Sequence, residues 1–456
     1  MALLIKTTRA LALAGACTFL LTGHLGEVQA ADDVVSSAPE LALPDQDNWA
    51  VHGQITNITQ HHAQFNSPYS GQQSLMPDPS TQETTDATLF VGRRLWDGAE
   101  LWANVEADQG FGFNNTLGLA GFSSGGAYKI GANKPYYRVP KLFVRQTVNL
   151  EGTASATEGG PNQFAASTSA NNIVLTAGKF SVTDMFDTNS YAHDPRADFL
   201  NWAVIDAGTY DYSADPWGYT WGAVAEWTQS WWTLRAGFFQ LSPVPNGKIV
   251  RVNFGGYSAD LEWESRHVWA GHPGKIKLLA WIDQGKMGSY QDAIRLAIQT
   301  GSEPSTALVR RDSARPGLIV NAEQELSADV GAFLRASANR GDKETYEFTD
   351  INQSLSGGVL IKGSSWQRTD DDVGVAVAMN RLSGQAQNYF AAGGLGLLIG
   401  DGRLNYAPEK ILELFYAVQV IPNMTATLDY QHITNPAYNQ DRGPVSMVGL
   451  RLHASF

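Results

Sequence analysis

Residues 100–108 alternate without a fault. Leu101, Ala103, Val105 and Ala107 share one parity, and Glu100, Trp102, Asn104, Glu106 and Asp108 share the other. A period of two marks a strand with one apolar and one polar face. Residues 219–228 repeat the pattern, with Tyr219, Trp221, Ala223, Ala225 and Trp227 against Thr220, Gly222, Val224, Glu226 and Thr228. Aromatics stand at both ends of that apolar face, with alanines between them. A strand that crosses a bilayer has this layout, its aromatics at the two interfaces and small residues in the hydrocarbon. In this register Ala223 meets lipid and Val224 faces water. Tyr257, Ala259, Leu261 and Trp263 repeat the layout against Ser258, Asp260, Glu262 and Glu264. A soluble sandwich would hold its aromatics mid-strand, in the core.

The same template finds sixteen candidate strands, near 49–58, 87–96, 99–111, 140–150, 172–180, 219–228, 231–240, 254–265, 275–283, 317–326, 329–340, 354–363, 371–381, 409–420, 424–434 and 445–456. Their connections sort into two kinds. Tight ones fall at Asp97-Gly98, Gln229-Ser230, Ser327-Ala328 and Ile421-Pro422-Asn423, and long ones span 59–86, 112–139, 181–218, 284–316 and 382–408. The Gly/Ser/Ala-rich stretch 151–171 breaks the alternation, being long where a short turn is due. Long loops on one side and short turns on the other predict an all-β fold: a transmembrane antiparallel β-barrel of about 16 strands, with long extracellular loops and short periplasmic turns.

The N-terminus carries an export pattern. Lys6 and Arg9 precede an apolar stretch over 10–21, and Val28-Gln29-Ala30 offers small–x–small before Ala31. The apolar stretch is too short to span a bilayer. Three parts follow: a cleaved secretory signal peptide (1–30), a flexible, polar periplasmic segment (31–48) and the barrel (49–456). The one cysteine, Cys17, lies inside the signal, so neither disulfides nor thiolate metal sites are available afterwards. Charged residues are only 17% of the chain, against about 25% in an ordinary soluble protein. Glycine (45 residues) and aromatics (13 Trp, 16 Tyr, 19 Phe) are abundant, as many strands joined by turns require. The net charge of −13 argues against nucleic acid as a partner.

At the other end Val448, Leu450, Leu452, Ala454 and Phe456 alternate with Gly449, Arg451, His453 and Ser455. A last strand ending in phenylalanine is similar to the assembly signal of bacterial outer-membrane barrels. It makes Phe456 the residue for the barrel-assembly machinery to read. Closing the sheet leaves no edge in lipid, where an unpaired backbone group finds no water. The partners this implies are outer-membrane lipid and the assembly machinery.

Several segments resemble the OprB-type carbohydrate-selective porins of Gram-negative bacteria. They are Leu95-Trp96-Asp97-Gly98-Ala99-Glu100-Leu101-Trp102, Gln109-Gly110-Phe111-Gly112, Asn115-Thr116-Leu117-Gly118 and Gly178-Lys179-Phe180-Ser181. Asp187-Thr188-Asn189, Tyr191-Ala192-His193-Asp194-Pro195-Arg196, Asp429-Tyr430-Gln431, Asn435-Pro436 and Gly449-Leu450-Arg451-Leu452 continue the match. The resemblance runs from about Trp49 to Phe456. It implies a sixteen-stranded outer-membrane pore that passes mono- or oligosaccharides by diffusion. Porins of this kind often form homotrimers. Some members are associated with divalent metals, manganese above all, which keeps a cation porin open as an alternative.

A sugar pore needs polar groups that replace water around hydroxyls and aromatic faces that stack on pyranose rings, with weak net binding. The candidates on lumen parity are Trp102, Asn104, Glu106, Asp108, Arg145, Glu226, Arg235 and Glu262, with Arg94 and Lys179 on less clean strands. Facing charges can also simply pair with one another. The loop 181–218 is long and rich in acids and aromatics, and a loop of that length is usually functional. It either bends into the lumen or caps the outside. Composition favours the lumen, with Arg196 and Trp202 as solute contacts. His61-His62, His193-Asp194 and Asp370-Asp371-Asp372 are the metal-capable groups. Adjacent strand residues point apart, however, and the aspartates fall on a turn, so no metal site or cofactor is expected. No Gly-x-Ser-x-Gly, phosphate loop or His-Glu-x-x-His occurs, which argues against an enzyme. A secreted sugar-binding or sugar-hydrolysing β protein is the remaining rival.

Overall fold

The computed structural model describes residues 48–127, 131–249, 251–348 and 350–456. The signal peptide and nearly all of the segment 31–48 lie outside the described residues. Strands run in chain order: β1 Trp49–His62, β2 Ser80–Trp96, β3 Ala99–Gly110, β4 Ala132–Arg138, β5 Leu142–Asn149, β6 Ala154–Thr157, β7 Ala166–Ser169, β8 Asn172–Phe180 and β9 Thr220–Gln229. They continue as β10 Trp232–Gln240, β11 Tyr257–Trp269, β12 His272–Met287, β13 Arg311–Ser327 and β14 Val330–Asn339. The last are β15 Gln353–Lys362, β16 Asp372–Arg381, β17 Glu409–Ile421, β18 Met424–Thr434 and β19 Val445–Ser455. Among the described residues no helix is long and apolar enough to cross a membrane.

All strands but β6 and β7 form one antiparallel sheet, in which each strand pairs with its neighbour in sequence and β1 closes on β19. β4 and β5 share one position, pairing with the upper and lower parts of β3. The wall therefore has sixteen staves, as the alternation predicts. Every predicted strand is present, and the extra length lies mostly at loop ends, although β11 and β12 also run on at the turn end, to Trp269 and from His272. β2 starts at Ser80 rather than 87, and β13 at Arg311 rather than 317. β4 is the addition. Pro135 interrupts its pattern, since proline cannot donate to a ladder.

At the seam, backbone pairs run from Gln54 opposite Ser455 to His62 opposite Met447. Phe456 continues the ladder: it exchanges two 2.9 Å backbone hydrogen bonds with Gly53. Its ring lies over Gly53, where a Cβ would come within 2.2 Å of the ring. Glycine at 53 is what lets the last aromatic lie flat across the first strand. Trp49, Trp96, Trp231 and Trp269 are exposed at this same end, and Tyr137 and Phe238 near the other. These are two aromatic belts with an apolar band between them.

Ala223 faces outward and Val224 inward, confirming the register. Val224 does not face water, though. It is buried in an apolar cluster that includes Phe186 and Phe239, because part of the lumen is filled by protein. An arginine at Ala223 is expected to cost about 2–4 kcal/mol, by placing a cation near the bilayer midplane. Denaturant unfolding in lipid vesicles reads this cost, with Ala223→Leu near neutral. An arginine at Val224 also destabilises, for want of space.

Candidate functional site

The loop 181–219 turns into the barrel. Its entry is a single turn over Val182–Asp184, in which Ser181 and Asp184 cap each other. Phe199 to Asp215 is then buried almost without a break. A chain inside a lumen still needs partners for its backbone, and inward side chains of the wall supply them. Arg335 on β14 donates to the carbonyls of Asp187 (3.0 Å), Ala192 (2.8 Å) and Val204 (2.8 Å). Arg451 on β19 holds those of Pro195, Ala197 and Asp198, at 2.7 to 2.8 Å. Glu413 on β17 accepts from the amides of Leu200 and Asn201, and Glu262 on β11 from that of Asp187.

A second inward segment, 111–127, meets the first. Ala120 and Gly121 give their amides to Glu409, and Trp202 donates its own amide to the Phe122 carbonyl. Trp202 is thus buried at this junction, and it also lines the opening beside it. Phe122 lies on one side (5.0 Å between ring centroids), and Phe348 stacks nearly parallel to it at 4.7 Å. It forms the core where the two loops meet.

Around that core the two loops and the β2–β4 wall enclose an opening, and the larger of its two adjoining cavities measures about 380 Å³. Arg196 projects from the loop and donates to Asp86 on β2 at 2.9 and 3.1 Å, with Glu106 on β3 at 3.5 Å. From the wall, Arg138 on β4 pairs with Glu106 and Asp108, its guanidinium 4.9 Å from the Tyr219 ring. Trp217 lines the same opening, its indole N–H donating to the Tyr136 hydroxyl at 3.1 Å. Burial works against the charge of Arg196, but Asp86 and Glu106 more than offset it and hold its pKa far above the usual value. Burial, with the charge of Glu106 adding, pushes the Tyr219 phenol up, so it remains a neutral hydroxyl. Burial also works to discharge His193, yet Asp206 at 3.4 Å raises it overall.

Of the residues singled out in the sequence, Glu106, Asp108 and Arg196 come together in this ring. Asn104 lies one step below on β3. Glu226, Arg235 and Glu262 pair with one another on the neighbouring wall, where Arg235 reaches Glu226 at 2.8 Å and Glu262 and Glu264 at 2.9 Å. Lys179 has the parity of outward Leu175 and Ala177 and reaches Asp215 at 3.5 Å. Arg94, Trp102 and Arg145 sit apart, near the periplasmic mouth. Asp86, Arg138, Trp217 and Tyr219 were missed. Asp86 continues the polar parity of Thr84 and Thr88 just ahead of the predicted strand, and Arg138 hides behind Pro135. Of the metal-capable groups, His61 bonds Thr81, the buried His62 meets Phe113, and Asp371 is held by Arg368 and Tyr416. Among the described residues no group of three His, Cys, Asp or Glu is arranged to hold a metal ion.

The structure is thus a closed wall of sixteen staves with an inward loop and a ring of paired charges. The sequence profile of the carbohydrate-selective porin, OprB family, matches residues 72–456. The chain belongs to this family. A structure of OprB from Pseudomonas putida superposes with a TM-score of 0.68 at 15% identity, covering 90% of this chain and 94% of that one. The outer-membrane channel DcaP of Acinetobacter baumannii matches at 0.48 and 10% identity, over 90% of this chain and 97% of that one. A trimer form of OmpT from Vibrio cholerae matches at 0.45 and 10% identity, over 90% and 100%. No curated protein matches the chain by sequence. Family and fold make the chain an outer-membrane porin for carbohydrates.

Arg335 also forms a buried ion pair with the Asp187 carboxylate at 3.2 Å; breaking such a pair costs about 3–5 kcal/mol, and the three loop carbonyls are lost with it. Arg335→Ala is therefore expected to leave the barrel heat-modifiable while the inward loop loosens. Single-channel recordings should show higher, noisier conductance. The His193–Asp206 contact stabilises while the imidazole is charged. Its contribution is complete below the unfolded value of about 6.5 and is lost as pH rises through the higher folded value. An NMR titration of His193 should give a midpoint above that reference, moving down in Asp206→Asn.

Proposed function

We propose that sugars cross this pore by diffusion through the ring of Asp86, Glu106, Arg138 and Arg196, with Trp217 and Tyr219 as its aromatic side. The observation that carries the reading is the meeting of fixed guanidinium forks, carboxylates and aromatic groups around one opening. Guanidinium N–H groups donate to sugar oxygens and carboxylates accept from hydroxyls. The indole and phenol offer apolar surface to a ring. Because each charge in the ring already has a partner, a neutral solute exchanges hydrogen bonds without leaving a bare ion behind. Binding stays weak enough for release.

The same pairing disfavours the divalent-cation reading. Manganese needs carboxylate oxygens free to coordinate it, and the carboxylates of the ring are taken up by arginine. Residues 1–30 act in this reading as the export signal, with Ala31 as the first residue of the exported chain. Phe456, packed on Gly53, closes the wall and is the group offered to the assembly machinery.

Planar-bilayer recordings test the proposal. Neutral sugars should interrupt the single-channel current of the wild type, and manganese should carry no selective current. Arg196→Ala should raise conductance and weaken sugar block about tenfold, the loss of one to two hydrogen bonds from a charged donor. Unchanged block in that variant would move the passage elsewhere on the wall.

A further inference from the structure

β5 and β8 are joined on the periplasmic side by the stretch 150–171, which folds as the hairpin β6–β7. Four residue pairs and a Gly160–Gln163 bridge at the tip hold this hairpin together, and a lone two-stranded hairpin is marginal in water. Between Glu151 and Asn171 its one large apolar side chain is Phe164, which is buried. The ring reaches into the mouth of the barrel and covers the indole of Trp102, with centroids 5.2 Å apart.

Trp102 is built as a shelf. It lies flat across Gly92 of the adjacent strand, where a Cβ would come within 2.6 Å of the indole. Its N–H is fixed on Glu100 at 2.8 Å. Arg94 and Arg145 flank the shelf and hold the hairpin by two carbonyls, those of Ala165 (2.6 Å) and Asn162 (2.8 Å). The guanidinium of Arg94 also lies 4.5 Å from the Phe164 ring. The hairpin thus presents an apolar ring face and two oxygen acceptors to an indole and two guanidinium forks. A pyranose presents the same set. Moreover, two polar atoms buried beside the shelf, Asn104 Oδ1 and Arg94 Nε, have no hydrogen-bond partner among the described residues. Asn104 lies on β3 between the shelf and Glu106 of the ring above, about 7 Å along the strand from each.

We propose that Trp102, with Arg94, Asn104 and Arg145, is a second, periplasmic sugar-binding station, and that Phe164 occupies it in the empty pore and yields it to a pyranose ring. The station rests on the reading of the pore as a carbohydrate channel. It gives a sugar leaving the ring a next site on the same strand. Only the tip of the hairpin needs to move: Asn149 and Asn172 hold its base through Ser167 and Ser169, while Phe164 and the two arginine hydrogen bonds hold the tip.

Full-length protein in a planar bilayer, with maltose added from the periplasmic side alone, tests this. Phe164→Ala should conduct more than wild type and show a second class of maltose block. Arg94→Gln, which frees the Ala165 carbonyl, should raise conductance in the same direction. Trp102→Ala placed on the Phe164→Ala background should weaken the second class of block about three- to tenfold, the loss of one aromatic face. The ring's own block should be untouched. If wild-type block persists and Phe164→Ala, assembled and heat-modifiable, changes neither conductance nor block, the inner station is overturned and the carbohydrate reading stands. Maltose that blocks no variant, wild type included, overturns both.

Discussion

Inside a bilayer every backbone N–H and C=O must be paired by the protein itself, and the rest of this molecule follows from that constraint. It forces the sheet to close, so β1 meets β19 and the ring of Phe456 settles on Gly53. Closure fixes which face is outside. The period of two then sends polar side chains inward on sixteen staves. The lumen becomes a place where charged groups can be buried because they face one another and the loops.

The inward loops obey the same rule by other means. Loop 181–219 has no ladder to join, so its amides and carbonyls are met by Arg335, Arg451, Glu413 and Glu262 from four different strands. These wall charges hold the loop by its backbone, and with it Arg196 opposite Asp86 and Glu106. At the periplasmic end the same economy recurs, as Arg94 and Arg145 hold the carbonyls of a hairpin. A charged lumen is in large part a set of anchors, and what it leaves for a sugar is the small set of groups around the openings.

The fold was legible because its signal is local and repeated. Parity in one strand is decided by lipid on one side and water or protein on the other, and neither depends on distant residues. Where a local rule was broken, legibility failed. Pro135 hid β4, and with it Arg138. Thr84 and Asp86, polar and short, read as loop ahead of β2. Trp202 carried the right chemistry for a sugar contact, but burial against Phe122 and Phe348 makes it part of the core. No pattern within the loop could have announced that.

By itself, then, the sequence determined the sixteen-stave wall, its lipid-facing register and the family, since each rests on short-range alternation and on contiguous motifs. It also pointed to Glu106, Asp108 and Arg196, because charge on an inward parity or in a long lumenal loop has few other places to go. The tertiary structure alone decided which charges hold the loops and which stand around the opening, that Trp202 is core, and that Phe164 covers Trp102. Those outcomes depend on contacts between residues tens to hundreds of positions apart. Such contacts are fixed only when the barrel closes and its loops compete for the space inside.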